Sequence, residues 1–369
     1  MGLVEIKEGT THFFVPEQEA GSSFPPGTGA VFFNRRMELN RDATILFLRH
    51  TDVTSYLDAM GASGARGLRV AHECGIPVTI NDVNPEAVDL IERNAAGMSG
   101  GEISITQADC KVLMGGRRFD AVDLDPFGTP APFVDAAATS AKRYLFVTAT
   151  DTAPLCGAHL KAGMRRYGAR PLNTEYHSEM GLRILLGFVA REVVKYDRGI
   201  EPLFCFAREH FVRLHLRVTR GAGRADAAVA RIGYIHQCPA CPERLEEAGI
   251  TAGCHTCPRC GTRMTPAGPL WLGPVNDRDL IHAMAEGLGD VPLATAGALE
   301  RLLAILGSEL DTSTFYNYHR LAKIWRTSPK GMDEVIACLK EGGYEASRTH
   351  YDGRGIKTTA PLDLLRECI

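Results

Sequence analysis

Between residues 54 and 148 the sequence alternates strand signals with helix signals, and no other feature restricts the possible folds as tightly. Short apolar runs at 56–60, 78–82, 103–106, 121–124 and 144–148 read as strands. Between the first two, the small-residue stretch at 61–67 opens a helix that Gly75 ends. After the second, Asn84 reads as an N-cap with Pro85 at the first helical position, and Gly97 closes that helix. Strands separated by helices must pair in parallel, so the expectation is a doubly wound α/β sheet. Ligands in such sheets bind beyond the carboxyl ends of the strands, which is where the unusual polar residues of this chain fall.

A length of 369 residues suggests two domains. We place the boundary at the Gly- and Ala-rich segment 221–227, giving domains 1–221 and 222–369. With 45% hydrophobic and 23% charged residues the composition is that of a globular protein. There is no apolar run of bilayer length and no basic-then-apolar leader, so we expect a cytoplasmic protein without membrane contact. A net charge of −3 excludes a uniformly basic coat but leaves room for local basic stripes. Nothing marks an obligate protein partner.

Three strand ends carry candidate cofactor ligands. The turn DAMGASGARG (58–67) holds Gly61 and lets a ligand approach backbone N–H groups at a helix start; a tight βα turn needs the same residues. Asp82 ends the next strand, where an acid can accept both ribose hydroxyls of a nucleoside. In QADC (107–110), Asp109 can accept an adenine amino group while the Cys110 backbone N–H faces a ring nitrogen; alone, Asp109 would be an ordinary loop aspartate. No turn is shaped for a pyrophosphate, so the set favours S-adenosylmethionine over a dinucleotide. The methionine carboxylate needs cations, for which Arg36 and Arg66 are the candidates and Arg35 and Arg41 nearby competitors.

The fourth strand ends in AVDLDPFGT (121–129). An exocyclic ring amine is a poor nucleophile because its lone pair is delocalised. Two acceptors, the Asp125 carboxylate and the backbone carbonyl held by Pro126, can take its two hydrogens and restore that lone pair. Phe127 can stack on the base, and Phe32 or Phe33 can form a second wall or belong to the core. The competing reading is a proline turn in which Asp125 caps the following helix. The catalytic reading also requires that this carboxylate face the cofactor cleft and not be consumed by an internal ion pair.

These blocks, with VFFNRRMELNRD (31–42), ATDTAPLCG (149–157) and EYHSEMGLRILL (175–186), make the chain resemble the tRNA (guanine-26, N2)-dimethyltransferases over most of its length. The resemblance implies a class I methyltransferase domain, a Rossmann-like doubly wound sheet, with S-adenosylmethionine as donor and a guanine exocyclic amine of tRNA as acceptor. It implies cofactor contacts at Arg36, Arg66, Asp82, Asp109 and Cys110, and a catalytic role for Asp125 with Pro126 and Phe127. One departure is Asn34-Arg35, where Asn-Pro is expected.

The later part of the chain holds CPAC (Cys238, Cys241) and CPRC (Cys257, Cys260), a spacing suited to a structural four-thiolate zinc ion. Cys254 forms another CxxC with Cys257; Pro258 and Gly261 favour the 257/260 pair. Clustering of five of the eleven cysteines at 238–260 points to metal rather than to disulfides. Lys161, Arg165, Arg166 and Arg170 can grip phosphate or form a solvated helix face. The segment 315–331 mixes aromatics with Arg320, Lys323, Arg326 and Lys330, suiting RNA or an amphipathic helix with buried rings. We therefore expect a smaller zinc-containing α/β domain that docks tRNA.

Overall fold

The computed structural model describes residues 2–17 and 31–369. An antiparallel hairpin, unforeseen in the sequence, comes first: β1 (Leu3–Glu8) and β2 (Thr11–Pro16). Helix α1 (Glu38–Arg49) follows, then β3 (Tyr56–Asp58), α2 (Ala65–Cys74), β4 (Val78–Asp82), α3 (Pro85–Ala95) and β5 (Ile103–Gln107). The alternation continues through α4 (Cys110–Gly116), β6 (Phe119–Leu124), α5 (Val134–Ser140) and β7 (Ala141–Ala149). Asn84 caps α3 by accepting from the Glu86 N–H at 3.0 Å, with Pro85 at the first helical position as expected. A short helix α6 (Leu160–Tyr167), a long helix α7 (His177–Val194), and strands β8 (Arg198–Arg208) and β9 (Phe211–Arg220) come next.

The seven strands form one sheet in the order β5-β4-β3-β6-β7-β9-β8. The pairs β5–β4, β4–β3, β3–β6 and β6–β7 are parallel. Sequence order reverses between β3 and β6, so their carboxyl ends flank the crevice in which such sheets bind ligands. Strand β6 is buried throughout, as a central parallel strand must be.

Packing divides the chain into two compact units that are interleaved in sequence. The first is 1–148 with 215–219 and 279–303; the second is 149–214 with 220–278 and 304–369. Within the first, charges are buried as a network. Arg69, wholly buried, donates from Nε to Glu73 at 2.8 Å and from Nη1 to Glu8 at 3.2 Å. Its Nη1 also lies 2.7 Å from Asp42 Oδ1, at an angle that makes the contact ionic rather than a hydrogen bond. Arg41 donates to the same Glu8 from Nε at 2.7 Å. Burial alone would raise the Glu8 pKa, but Arg41 and Arg69 outweigh it and hold the carboxyl below its ordinary value. The hairpin is thus fastened to α1 and α2 by charge, and the β2 hydroxyl of Thr11 adds a 2.8 Å bond to Glu73.

In the second unit, α7 is the central element. Its wholly buried Arg183 donates to the Trp271 and Gly273 carbonyls at 3.0 and 2.9 Å, and Lys357 reaches Glu179 on the same helix at 2.7 Å. Two small sheets complete the unit. One has the order β11-β10-β12, from β10 (Ile232–Gln237), β11 (Arg244–Ala248) and β12 (Thr265–Trp271). The other has the order β13-β15-β14, from β13 (Tyr316–Asn317), β14 (Ala346–Arg348) and β15 (Gly355–Thr358).

Residues 221–227, expected as the linker, lie mostly in a helix, Ala222–Val229, whose Ala225 and Ala228 are buried. The cysteines are not wholly devoted to metal, since Cys338 and Cys368 form a disulfide that joins the last two helices, Met332–Glu341 and Leu362–Cys368. Among the described residues no helix is long and apolar enough to cross a membrane.

Removing Arg69 would leave Glu8, Asp42 and Glu73 buried with one compensating cation fewer. Arg69→Ala should therefore destabilise the first unit by about 3–5 kcal/mol. Urea denaturation would read this as an earlier first transition; an unshifted midpoint would show that the network contributes little.

Candidate active site

The carboxyl ends of β3, β4 and β5 are tied together by one side chain that the sequence reading passed over. Asn81, buried one residue before the end of β4, donates from Nδ2 to the carbonyls of Ala59 and Ala108, each at 3.1 Å. Its Oδ1 accepts from Thr106 at 2.9 Å. Asp82 adds a second tie: its two oxygens accept from the Ala62 N–H at 2.8 Å and the Asn84 N–H at 2.9 Å. The turn at Gly61 is fastened in turn by its own N–H to the Asn81 carbonyl at 2.8 Å. Gly61 and Asp82 therefore share one corner, and the loop bearing Asp109 and Cys110 is tied to it through Ala108.

Asp109 is exposed and caps α4, accepting from the Lys111 N–H at 2.7 Å; Cys110 is buried at the start of that helix. One Asp109 oxygen is thus engaged as a helix cap, a role the sequence did not mark. Val83, directly after Asp82, is 69% exposed, and Val112, within α4, is 73% exposed; nothing in the sequence marked either as a surface residue.

At the neighbouring corner, Arg66 is 5% exposed and engaged on every side. It donates to Thr44 at 2.9 Å, to Asn40 at 3.0 Å, and to the Asp125 carboxylate through a short contact from Nη2. Its Nε lies 3.7 Å from Asp123. Asp123, fully buried, also accepts a short hydrogen bond from the Tyr56 hydroxyl. Asp58 completes the set, accepting from the Gly67 N–H at 3.0 Å. Burial alone would lower the Arg66 pKa, but Asp123 and Asp125 more than offset it, so the guanidinium stays charged.

This geometry modifies two expectations. Arg66 does not stand open for a ligand carboxylate, because its partners are Asp125, Asn40 and Thr44. Asp125 is in an internal ion pair, the arrangement that the sequence reading required to be absent. The pair occupies Oδ2 only, and a carboxylate has about four acceptor directions, so the half-buried Asp125 retains acceptor capacity at its other oxygen. Arg41 is buried and paired with Glu8, away from any ligand carboxylate it was expected to compete for. Arg35 and Arg36 both lie exposed on a 3-10 turn, Arg35–Met37, that Asn34 caps by accepting from the Arg36 N–H at 2.9 Å. Residue 35 is the first turn position, where proline is tolerated, so Asn-Arg preserves the turn that Asn-Pro would make.

Beyond Asp125 the buried Pro126 directs Phe127 outward, leaving its ring 78% exposed. Phe32 meets it edge-on, with ring centroids 5.6 Å apart at 75°. Phe33 is buried against Phe13 and Arg41. The open alternative is thereby resolved: Phe32 belongs to the rim and Phe33 to the core.

In the second unit the sulfurs of Cys238, Cys241, Cys257 and Cys260 lie within 4.8 Å of one another. Cys254 is outside this set and accepts from Arg263 at 3.6 Å. Gly261, at φ +71°, closes the second knuckle with an N–H bond to the Cys257 carbonyl at 2.9 Å. Four converging thiols leave no open position and fit a structural tetrahedral ion. Lys161, Arg165 and Arg170 are exposed, as is Arg166, which pairs with Asp151 at 2.9 Å. In the segment 315–331, Phe315 and Tyr318 are buried, Tyr316 and Trp325 half-buried, and Arg320, Lys323, Arg326 and Lys330 face outward, so the first two rings serve the core.

Residues 9–369 match the family model described as N2,N2-dimethylguanosine tRNA methyltransferase. The chain belongs to that family. It is 59% identical over 369 residues to the tRNA (guanine(26)-N(2))-dimethyltransferase of Methanoculleus marisnigri, covering 100% of this chain and 99% of that one. Identity to the protein of the same name from Methanosphaerula palustris is 60% over 365 residues, covering 99% and 98% of the two chains. Among solved structures, Trm1 from Pyrococcus horikoshii in complex with S-adenosyl-L-methionine superposes with a TM-score of 0.91 at 35% identity, covering 100% of both chains. The doubly wound class I methyltransferase architecture read from the sequence is thus the architecture of this family.

The buried acids yield a pH prediction. Burial pushes the Asp58 pKa from 3.8 to about 7; Arg66 opposes that rise, and Asp123 and Asp125 add to it. Between those values the folded protein keeps a proton that the unfolded chain has released. Asp58 therefore favours the folded state at low pH, and this contribution falls as pH rises from about 4 to about 7. Asp58→Asn, which keeps an acceptor for Gly67, should gain stability relative to the parent at about pH 8 compared with about pH 5. Denaturant titrations of the ligand-free protein at both pH values would measure this; an identical difference at the two would exclude a protonated Asp58.

Proposed function

We propose that this protein is a tRNA (guanine(26)-N(2))-dimethyltransferase that uses S-adenosylmethionine, the activity for which its relatives are named. The observation that carries the residue-level reading is the tip of β6. There an anchored carboxylate and a proline-fixed backbone lie beside an exposed aromatic ring, at the point where strand order reverses. All residues assigned to this pocket fall within 1–221, and the thiolate cluster and the later basic residues within 222–369. The functional division follows the same line: methyl transfer in the first part, structural zinc and tRNA docking in the second.

The strand ends fit the cofactor by their chemistry. The carboxyl groups of Asp58, Asp123 and Asp125 gather around Arg66, an acidic setting suited to an ammonium and a sulfonium. Asp82 accepts the ribose hydroxyls, and Asp109 and the Cys110 N–H read the adenine edge, with Val83 and Val112 as apolar walls. Gly61 keeps the turn close to the ligand. Arg36 receives the methionine carboxylate, and Arg66 acts by fixing Asp125. When bound, S-adenosylmethionine supplies the methyl group and the driving force of sulfonium cleavage.

The protein's part is to make the guanine amine reactive. Phe127, with Phe32 behind it, holds the extruded base flat. The Asp125 oxygen not engaged by Arg66 accepts one N–H of the amine, and the backbone carbonyl at Pro126 accepts the other. Fixed acceptors in a site that excludes water draw the nitrogen toward a tetrahedral geometry. The proton released on methylation leaves through the same Asp125 oxygen. Because Arg66 fixes the carboxylate before substrate arrives, little reorganisation of that side chain is needed; in the second methylation the nitrogen carries a single N–H, which the same Asp125 oxygen accepts.

Asp125→Ala should lower methyl transfer to tRNA by on the order of 10²–10³-fold while calorimetry still detects S-adenosylmethionine binding. Mass spectrometry of nucleosides from a bulk tRNA pool, with the modified position mapped, tests both the reaction and the residue. Turnover equal to that of the parent would remove Asp125 from the chemistry, and methyl groups at another nucleotide would correct the acceptor.

A further inference from the structure

The thiolate cluster is built from a duplicated hexapeptide. His236-Gln237-Cys238-Pro239-Ala240-Cys241 and His255-Thr256-Cys257-Pro258-Arg259-Cys260 share the pattern H-x-C-P-x-C. A knuckle needs its cysteines, its proline and a tight turn; it has no need of a histidine two residues earlier. Yet the two histidines converge on one carboxylate. His236 Nε2 is 2.7 Å from Glu247 Oε2, and His255 Nε2 is 3.3 Å from the same oxygen. Register explains the first contact, since Tyr234 pairs with Glu247 and His236 with Leu245, making His236 and Glu247 diagonal neighbours on one face of β10 and β11.

We propose that His236, Glu247 and His255 form a second metal site, distinct from the four cysteines, for a borderline divalent cation such as Zn²⁺. Three observations carry the proposal. The three ligand atoms lie within 4.8 Å of one another, and in a tetrahedral zinc site with bonds near 2.0–2.1 Å neighbouring ligands stand about 3.3 Å apart. His255 Nε2 is buried and makes no hydrogen bond despite its closeness to Glu247, so the nitrogen's in-plane direction is aimed past the carboxylate oxygen. Finally, Gly253 keeps space open beside the ligands. A Cβ there would stand 2.8 Å from Glu247 Oε1 and 3.0 Å from His255 Nε2, while the Gly253 N–H steadies Glu247 Oε2 at 2.8 Å.

The donor set selects the ion. Two imidazole nitrogens and one carboxylate oxygen suit zinc, cobalt or nickel better than a hard cation such as magnesium. Three protein ligands leave a fourth position for water, on the side where His255 and Glu247 remain about one-third exposed. His236, by contrast, is 1% exposed and anchors the site to the sheet. Such an ion would join β10, β11 and the 253–255 segment, so that each H-x-C-P-x-C element contributes to both sites.

The test is metal stoichiometry in the full-length protein. Stripped with chelator, reloaded with Zn²⁺ and desalted, the parent should hold two equivalents by elemental mass spectrometry. His255→Ala should hold one. Glu247→Gln keeps an acceptor for Gly253 and should also hold one, which guards against misfolding as the cause of loss. Reloading with Co²⁺ separates the sites: the thiolate-to-cobalt charge-transfer band should be unchanged in both variants while one equivalent of cobalt is lost. One equivalent in the parent would overturn the proposal and leave a hydrogen-bonded His–Glu–His clasp. Two equivalents retained in the variants, or loss of both together, would overturn it equally.

Discussion

The active corner depends on the placement of one guanidinium. Arg66 sits at the start of α2, behind a small-residue turn, and three carboxylates converge near it from the ends of β3 and β6. Without a cation there, Asp58, Asp123 and Asp125 would repel one another in a poorly solvated space. With it, Asp123 and Asp125 are held in place by contacts to the guanidinium, while burial keeps Asp58 partly protonated near neutrality. Asn40 and Thr44 on α1 complete the coordination of Arg66, so α1 contributes to the orientation of a residue just beyond the end of β6. The rotamer of Asp125 is thereby set by packing and charge.

Much of this fold was legible from period and punctuation. Strand β4 and the Asn84-Pro85 start of α3 appear where the apolar run and the capping pair put them, because local geometry and tertiary packing agree there. Strands β6 and β7 extend further toward their starts than their apolar runs indicated; burial between neighbours lets a buried strand accept Asp120, which Arg143 pairs. The N-terminal hairpin could not be inferred, since it is fastened by Glu8 to arginines thirty-three and sixty-one residues away. The helix at 222–229 was not foreseen because glycine and alanine suit a linker and a small-residue helix contact equally well.

For the candidate site, residue type was readable and residue duty less so. Asp82 and Asp109 were found at strand ends, but sequence could not reveal that each is already a hydrogen-bond partner of the backbone. Arg66 and Asp125 were both singled out, and only the folded chain shows them as partners of each other. The separation of Phe32 from Phe33 was likewise a question of which face the chain presents. The disulfide between Cys338 and Cys368 joins residues thirty positions apart and carries no spacing signature.

Phe127 has an energetic consequence. A ring left 78% in water is a surface whose hydration is relieved only when something covers it. Covering a phenylalanine side chain is worth roughly 1.5–3 kcal/mol, the same order as the few kcal/mol needed to unstack a nucleotide. Extraction of a base onto this ring would accordingly be close to thermoneutral in free energy, neither trapping the nucleic acid nor resisting its departure. Covering the ring contributes a negative heat-capacity change and unstacking the base a positive one, so the two partly offset.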